Sequence, residues 1–167
     1  MTIRLLDIIE ETTADGPGFR TSIYCSGCYH KCPGCHNPES WDMDNGKIVE
    51  VDDILETVLN DEFSNVTFSG GDPMFQAEAF TELAKKIKER SNKTIWCYTG
   101  FRYENILKNE KMSHLLKYLD VLVDGPFIKE LADRNLHFRG SSNQRIIHLK
   151  GEEEDIIPGA IPLVKLK

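Results

Sequence analysis

Thr21-Ser22-Ile23-Tyr24-Cys25-Ser26-Gly27-Cys28-Tyr29-His30-Lys31-Cys32-Pro33-Gly34-Cys35 runs from a short strand-forming segment into a loop that holds four of the chain's five cysteines. Cys28, Cys32 and Cys35 stand with three and then two residues between them. Thiols this close along a chain cannot disperse into a core as small hydrophobes. They converge on one point, as thiolate ligands of a soft metal centre do. A cysteine loop directly after a strand is also placed where α/β folds bind ligands, at the carboxyl end of the strand.

Outward from this stretch, apolar and β-branched runs recur at 4–9, 21–24, 65–69, 94–98, 120–123 and 145–149, and read as strands. Phe80, Leu83, Ala84 and Ile87 recur at helical spacing between the third and fourth runs. Residues 51–60 read as a helix with an acidic first turn at Asp52 and Asp53. Residues 103–118 read as one or two helices broken near Asn109. Strands alternating with helices predict a mainly parallel sheet, either open and doubly wound or partly closed into a barrel. The polar motifs then fall together at one mouth. Cys25 follows the second strand, Gly70-Gly71-Asp72-Pro73 the third, Thr99-Gly100 the fourth and Asp124-Gly125-Pro126 the fifth.

The 167 residues fit a single domain, 1–167, with 151–167 expected as an irregular surface tail of acids and prolines. Apolar residues make up 40% and charged residues 28%, the balance of a globular protein. A formal net charge of −7 argues against nucleic acid, because phosphate binding needs a basic footprint. No apolar run approaches the roughly 20 residues of a membrane span. The N-terminus carries no signal-peptide pattern, so a cytoplasmic location is expected. In that reducing compartment clustered cysteines bind metal more often than they pair.

Three centres compete for the cysteines. Zinc would take all four as two knuckles, but such knuckles are usually separated by about 12 to 20 residues, against three between Cys28 and Cys32. A closed cluster of the bacterial ferredoxin type uses spacings of two, two and three residues, whereas this chain has two, three and two. The third reading is an open four-iron cluster on Cys28, Cys32 and Cys35 alone, with one iron free for an exogenous ligand.

The Cys-x3-Cys-x2-Cys loop resembles the signature of the radical S-adenosylmethionine (SAM) enzymes. Phe68-Ser69-Gly70-Gly71-Asp72-Pro73 resembles their Gly-Gly-Glu motif, with Asp72 in place of Glu. Four further segments narrow the match. They are Asp15-Gly16-Pro17-Gly18-Phe19-Arg20, Cys32 to Trp41, Val123-Asp124-Gly125-Pro126-Phe127 and Arg139 to Arg145. Together they are similar to the activating proteins of anaerobic ribonucleoside-triphosphate reductase, over nearly the whole chain.

The resemblance implies an α/β fold of the partial (β/α) barrel type, with a mainly parallel sheet and helices outside. It implies a 4Fe-4S cluster on Cys28, Cys32 and Cys35, with SAM chelating the fourth iron. Gly34 and His36 would lie against SAM, and Gly70, Gly71 and Asp72 would receive its methionine end. Reductive cleavage of SAM to methionine and a 5′-deoxyadenosyl radical would then place a glycyl radical on the partner reductase. An electron donor such as flavodoxin would supply the electron. No catalytic acid or base is expected, because the cofactors carry the chemistry. The rivals are activation of another glycyl-radical enzyme of the pyruvate formate-lyase type, and a non-catalytic zinc-binding module. The first is typically longer and carries an aromatic residue where this chain has Gly34; the second would need Cys25 as a ligand.

Other residues have plainer readings. Cys25 and Cys97 read as buried filler, and His30 as solvent-exposed. Arg20 reads as a partner of Asp15, or as a contact to the partner protein's glycine loop. Asp124 reads as a turn residue or a ribose contact. The donor-rich Arg139–Asn143 stretch reads as a ligand-facing loop, and His36 and Tyr98 as adenine contacts.

Overall fold

The computed structural model describes residues 1–150 and 159–166. One eight-stranded sheet is built from β1 (Thr2–Thr12), β2 (Arg20–Cys25), β3 (Lys47–Glu50), β4 (Asn65–Gly70), β5 (Ile95–Tyr98), β6 (Val121–Asp124), β7 (Arg145–His148) and β8 (Ala160–Pro162), in the order β3-β1-β2-β4-β5-β6-β7-β8. Strands β2, β4, β5 and β6 are mutually parallel. β1 pairs antiparallel with both β2 and β3, and β7 pairs antiparallel with β6. The fold is mixed α/β with a mostly parallel sheet. Among the described residues no pairing joins β3 to β8, so the sheet is open.

The helices are α1 (Val51–Asn60), α2 (Ala77–Arg90), α3 (Tyr103–Ile106) and α4 (Glu110–Leu116). Each follows from its sequence. α1 buries Val51, Ile54, Leu55 and Val58 and keeps Asp52 and Asp53 at its positive end. α2 buries Phe80, Leu83, Ala84 and Ile87. The break at Asn109 is a cap: its side chain accepts from the Met112 amide at 3.1 Å and starts α4.

All four helices pack on one face of the sheet. There Ile23, Cys25, Val66, Phe68, Ile95, Cys97, Leu122 and Ile147 meet the helix stripes in one buried core. Period-two alternation sends Trp96, Tyr98, Val121, Val123 and Ile146 to the other face, where Phe138 covers them. The parallel register aligns Cys25 with Gly70 and Tyr98 with Val123, so the carboxyl ends of β2, β4, β5 and β6 open on one edge.

Two strands have weak sequence signals. β3 has four residues, and β8 falls in the expected irregular tail. The described part of that tail is ordered: β8 adds parallel to β7, and a 3-10 turn at Leu163–Leu166 follows. The rest of the tail, 151–158 and 167, lies outside the described residues.

Arg20 feels the charge of Asp15, but its hydrogen bonds go elsewhere. It is 2% exposed at the first position of β2, the end of the sheet opposite the cysteine loop. Nε donates to Thr67 Oγ1 at 2.8 Å, Nη2 to the Val66 carbonyl at 2.8 Å and Nη1 to the Pro17 carbonyl at 3.1 Å. The guanidinium lies 5.5 Å from the Trp96 ring centre, and burial brings its pKa down to about 10. It ties three segments of the chain together. A lysine has no planar fork to match these acceptors. Arg20→Lys is therefore expected to lower stability by about 2 kcal/mol, read from urea unfolding.

Candidate cofactor site

β2 ends at Cys25, and the chain leaves the sheet in a loop whose limbs are tied at the base. Gly27 N donates to the Ser40 carbonyl at 2.7 Å and Cys28 N to that of Trp41 at 3.1 Å. Between these ties the loop has little regular structure. Cys35 N donates to the Cys32 carbonyl at 3.0 Å, with Pro33 and Gly34 between them and Gly34 at φ +77°. Proline followed by a left-handed glycine is the signature of a type II turn, and here it sets the spacing of the last two cysteines.

All five cysteines are free thiols. Cys28, Cys32 and Cys35 are partly exposed, whereas Cys25 and Cys97 are buried in the core. The Cys25 thiol donates to the Ser69 carbonyl at 3.3 Å, and burial holds its pKa well above the usual thiol value. It is a buried core group, unlike the other three cysteines of this stretch. Burial also pushes Cys28 up to about 11, so a metal centre there must displace a proton. Among the described residues no three of His, Cys, Asp and Glu are grouped to hold a metal ion. A single tetrahedral ion needs sulfurs roughly 4 Å apart. An iron–sulfur cluster asks less of the loop, because each thiolate takes its own iron.

Beside the last cysteine, His36 packs on Phe127 with ring centres 5.3 Å apart. A side chain at Gly34 would meet Lys129 and Phe127. The connection between β6 and β7 therefore lies against Gly34 and His36. Tyr98 lies on the sheet face away from the helices, against Trp96 and Phe138, and burial raises its phenol pKa.

The Gly70-Gly71-Asp72 turn sits next to the cysteine loop, but not as an open cradle. Gly70 has φ +102°, and a Cβ there would lie 2.4 Å from Cys25 backbone atoms. A Cβ on Gly71 would lie 2.6 Å from the Gly27 carbonyl oxygen. Gly71 N donates to the Cys25 carbonyl at 2.7 Å, and Asp72 N to that of Gly27 at 2.9 Å. The sequence reading assigns the close approach permitted by the two glycines to a ligand; the structure uses it for the cysteine loop itself.

Asp72 is 1% exposed. Its Oδ2 meets His30 Nε2 at 2.7 Å and accepts from Thr99 Oγ1 and Gly100 N, each at 2.9 Å. Oδ1 accepts from Met74 N at 3.0 Å. His30 is thus not the solvated residue expected. Its ring lies 4.5 Å from that of Phe101 and 5.3 Å from that of Phe75, centre to centre. Thr99 and the two phenylalanines were assigned no role from sequence. The available signal was a Thr-Gly pair at a strand end.

Two further readings change. Asp124 is 1% exposed and accepts from Arg145 Nε at 3.0 Å and from Tyr103 N at 2.8 Å. Arg145 also forks onto Glu104 at 2.9 and 2.8 Å, which holds that carboxyl down to about 2. Asp124 is therefore a buried ion-pair member, neither a free turn residue nor an open ribose contact. In the 139–144 stretch most donors fold the loop on itself. Gly140 N donates to Gln144 Oε1, Asn143 Nδ2 to the Pro126 carbonyl and Gln144 Nε2 to that of Gly125.

A family model described as a 4Fe-4S single cluster domain matches residues 14–147. Three relatives named anaerobic ribonucleoside-triphosphate reductase-activating protein align with most of the chain. The protein from Vibrio cholerae is 39% identical over 142 residues, 80% of this chain and 90% of its own. That from Enterobacteria phage T4 is 36% identical over 138 residues, covering 79% and 85%. That from Escherichia coli K12 is 35% identical over 144 residues, covering 81% and 92%. With its three partly exposed cysteines on one loop at the strand ends, this chain belongs to the family of anaerobic ribonucleoside-triphosphate reductase-activating proteins.

Proposed function

We propose that this protein activates an anaerobic ribonucleoside-triphosphate reductase by generating a glycyl radical on it, acting as a radical SAM enzyme with a 4Fe-4S cluster. One observation carries the reading. Cys28, Cys32 and Cys35 present partly exposed thiols from a single loop at the carboxyl ends of parallel strands, while Cys25 is withdrawn into the core. Three ligands and no fourth is the donor set that leaves one iron open. The open, helix-backed sheet fits a partial barrel whose carboxyl edge would receive the cofactors.

When bound, the cluster and SAM together supply the chemistry: one electron to the sulfonium, release of methionine and a 5′-deoxyadenosyl radical able to take hydrogen from the partner's glycine. The protein's own part is placement. Cys28, Cys32 and Cys35 hold the cluster, and the Pro33-Gly34 turn fixes the spacing of the last two. Gly34 and His36, backed by Phe127, line the side that SAM approaches. Gly70, Gly71 and Asp72 border it from the end of β4. No acid or base is needed from the protein, because the cofactors carry the bond breaking. A soluble one-electron donor such as flavodoxin, and a cytoplasmic setting, complete the proposal. No described helix is long and apolar enough to cross a membrane.

Anaerobic reconstitution with iron and sulfide tests this directly. About four irons per chain are expected, with 5′-deoxyadenosine formed under a strong reductant and a glycyl radical signal on the cognate reductase by electron paramagnetic resonance. One tightly held zinc with no SAM cleavage would overturn it. The ligand set has its own test by iron content. Cys28→Ala, Cys32→Ala and Cys35→Ala should each lose or cripple the cluster, whereas Cys25→Ala should retain it. Loss in Cys25→Ala with retention in the others would mean a different ligand set.

A further inference from the structure

We infer that His30 and Asp72 form a latch that holds the cysteine loop on the strand ends, and that Asp72 is a positioning residue for that loop rather than a ligand of the SAM ammonium group. The inference rests on the cofactor reading above for its consequences, but its geometry stands without it.

Oδ2 of Asp72 already meets three donors, from His30, Thr99 and Gly100. A carboxylate oxygen offers about two lone-pair directions, so that atom has none left for a cation. Oδ1 is engaged by the Met74 amide, where Asp72 caps the 3-10 turn Pro73–Gln76, and the residue is 1% exposed. Oδ1 keeps one lone-pair direction, but at 1% exposure an ammonium group could reach it only by opening the packing around the carboxylate.

The donors come from three places in the chain. His30 lies between Cys28 and Cys32, Thr99 and Gly100 directly follow β5, and Met74 is the second residue of the turn after β4. One carboxylate therefore joins the cysteine loop to two strand ends. The fit of His30 depends on Gly100, where a Cβ would lie 2.5 Å from the imidazole. Phe75 and Phe101 pack on the ring from either strand end, and Tyr29 packs edge-on to Phe75 at 4.9 Å. The Gly71 and Asp72 amides bind the Cys25 and Gly27 carbonyls at 2.7 and 2.9 Å, extending the same junction into the backbone.

Hydrogen exchange on the cluster-free protein tests the latch without depending on any cofactor. Relative to wild type, His30→Leu and Asp72→Asn should each speed exchange of the Gly27, Cys28, Gly71 and Asp72 amides about tenfold. The double variant should exchange no faster than the faster single, because both remove one interaction. His30→Gln, which keeps a donor near the Nε2 position, should return exchange to within about twofold of wild type. Thr99→Val serves as a second probe of Asp72 and should loosen the same amides. Unchanged exchange at these amides in both His30→Leu and Asp72→Asn overturns the latch.

The second arm uses reconstituted protein and reads cluster loss to a ferrous chelator together with the SAM dissociation constant. The latch predicts faster cluster loss in both single variants. Weaker SAM binding in Asp72→Asn alone, with cluster loss unchanged, would restore Asp72 as a direct ligand. A wild-type protein that takes up no iron would refute the cofactor reading, while the exchange data would still decide the latch.

Discussion

A carboxylate buried at 1% exposure must collect donors, and the way Asp72 does so organises the mouth of this protein. Burying such a group without partners costs several kcal/mol, so the folded state is selected for bringing donors to it. They arrive from the cysteine loop, the end of β5 and the turn after β4. These are the segments that have to converge if thiols and backbone groups are to face one cofactor. The same requirement explains the glycines: with side chains at Gly71 and Gly100, neither the Gly27 carbonyl nor the His30 ring could come so close.

The second organising constraint is the period-two alternation of the parallel strands. It sends Ile23, Cys25, Phe68 and Cys97 to the face covered by helices and leaves Trp96, Tyr98 and Val123 on the other. Cys25 and Cys28, three residues apart, therefore have opposite fates. Cys25 is the last residue of β2 and points into the helix-backed core, whereas Cys28 lies beyond the end of the sheet. At the far end of β2, Arg20 plays the part that Asp72 plays at the mouth: a buried charged group whose hydrogen bonds join separate segments. One strand is thus anchored at both ends by polar networks and in the middle by apolar packing.

Much of this was legible in the sequence. α1 carries its own stripe and acidic first turn, and Asn109 declares itself as a cap, so both were readable from local periodicity. The six strands read from the sequence follow from apolar, β-branched runs. β3 escaped because Lys47-Ile48-Val49-Glu50 holds only two apolar residues and is largely exposed, and β8 because it has three residues; each exists by pairing with a neighbour already in place. In the site, the cysteine spacing separated three loop cysteines from Cys25 and Cys97. From sequence, Asp72 and the donors of 139–144 read as facing a ligand, Asp124 as a turn residue or a ribose contact, and His30 as solvated; all four find partners within the protein. A charged or donor-rich residue at a strand end has the same sequence signature whether its partner is a ligand or the protein itself.

The sequence by itself determined the α/β class, the strand-end position of the polar motifs and the spacing of the three loop cysteines, because these depend on patterns a few residues long. Only the tertiary structure decided which polar groups remain available. His30 and Asp72 are 42 residues apart, and Asp124 and Arg145 are 21 apart. Whether such groups meet depends on strand order and register, which local pattern does not encode. Their pairing gives both carboxylates partners within the protein, while Cys28, Cys32 and Cys35 remain the partly exposed thiols of the loop.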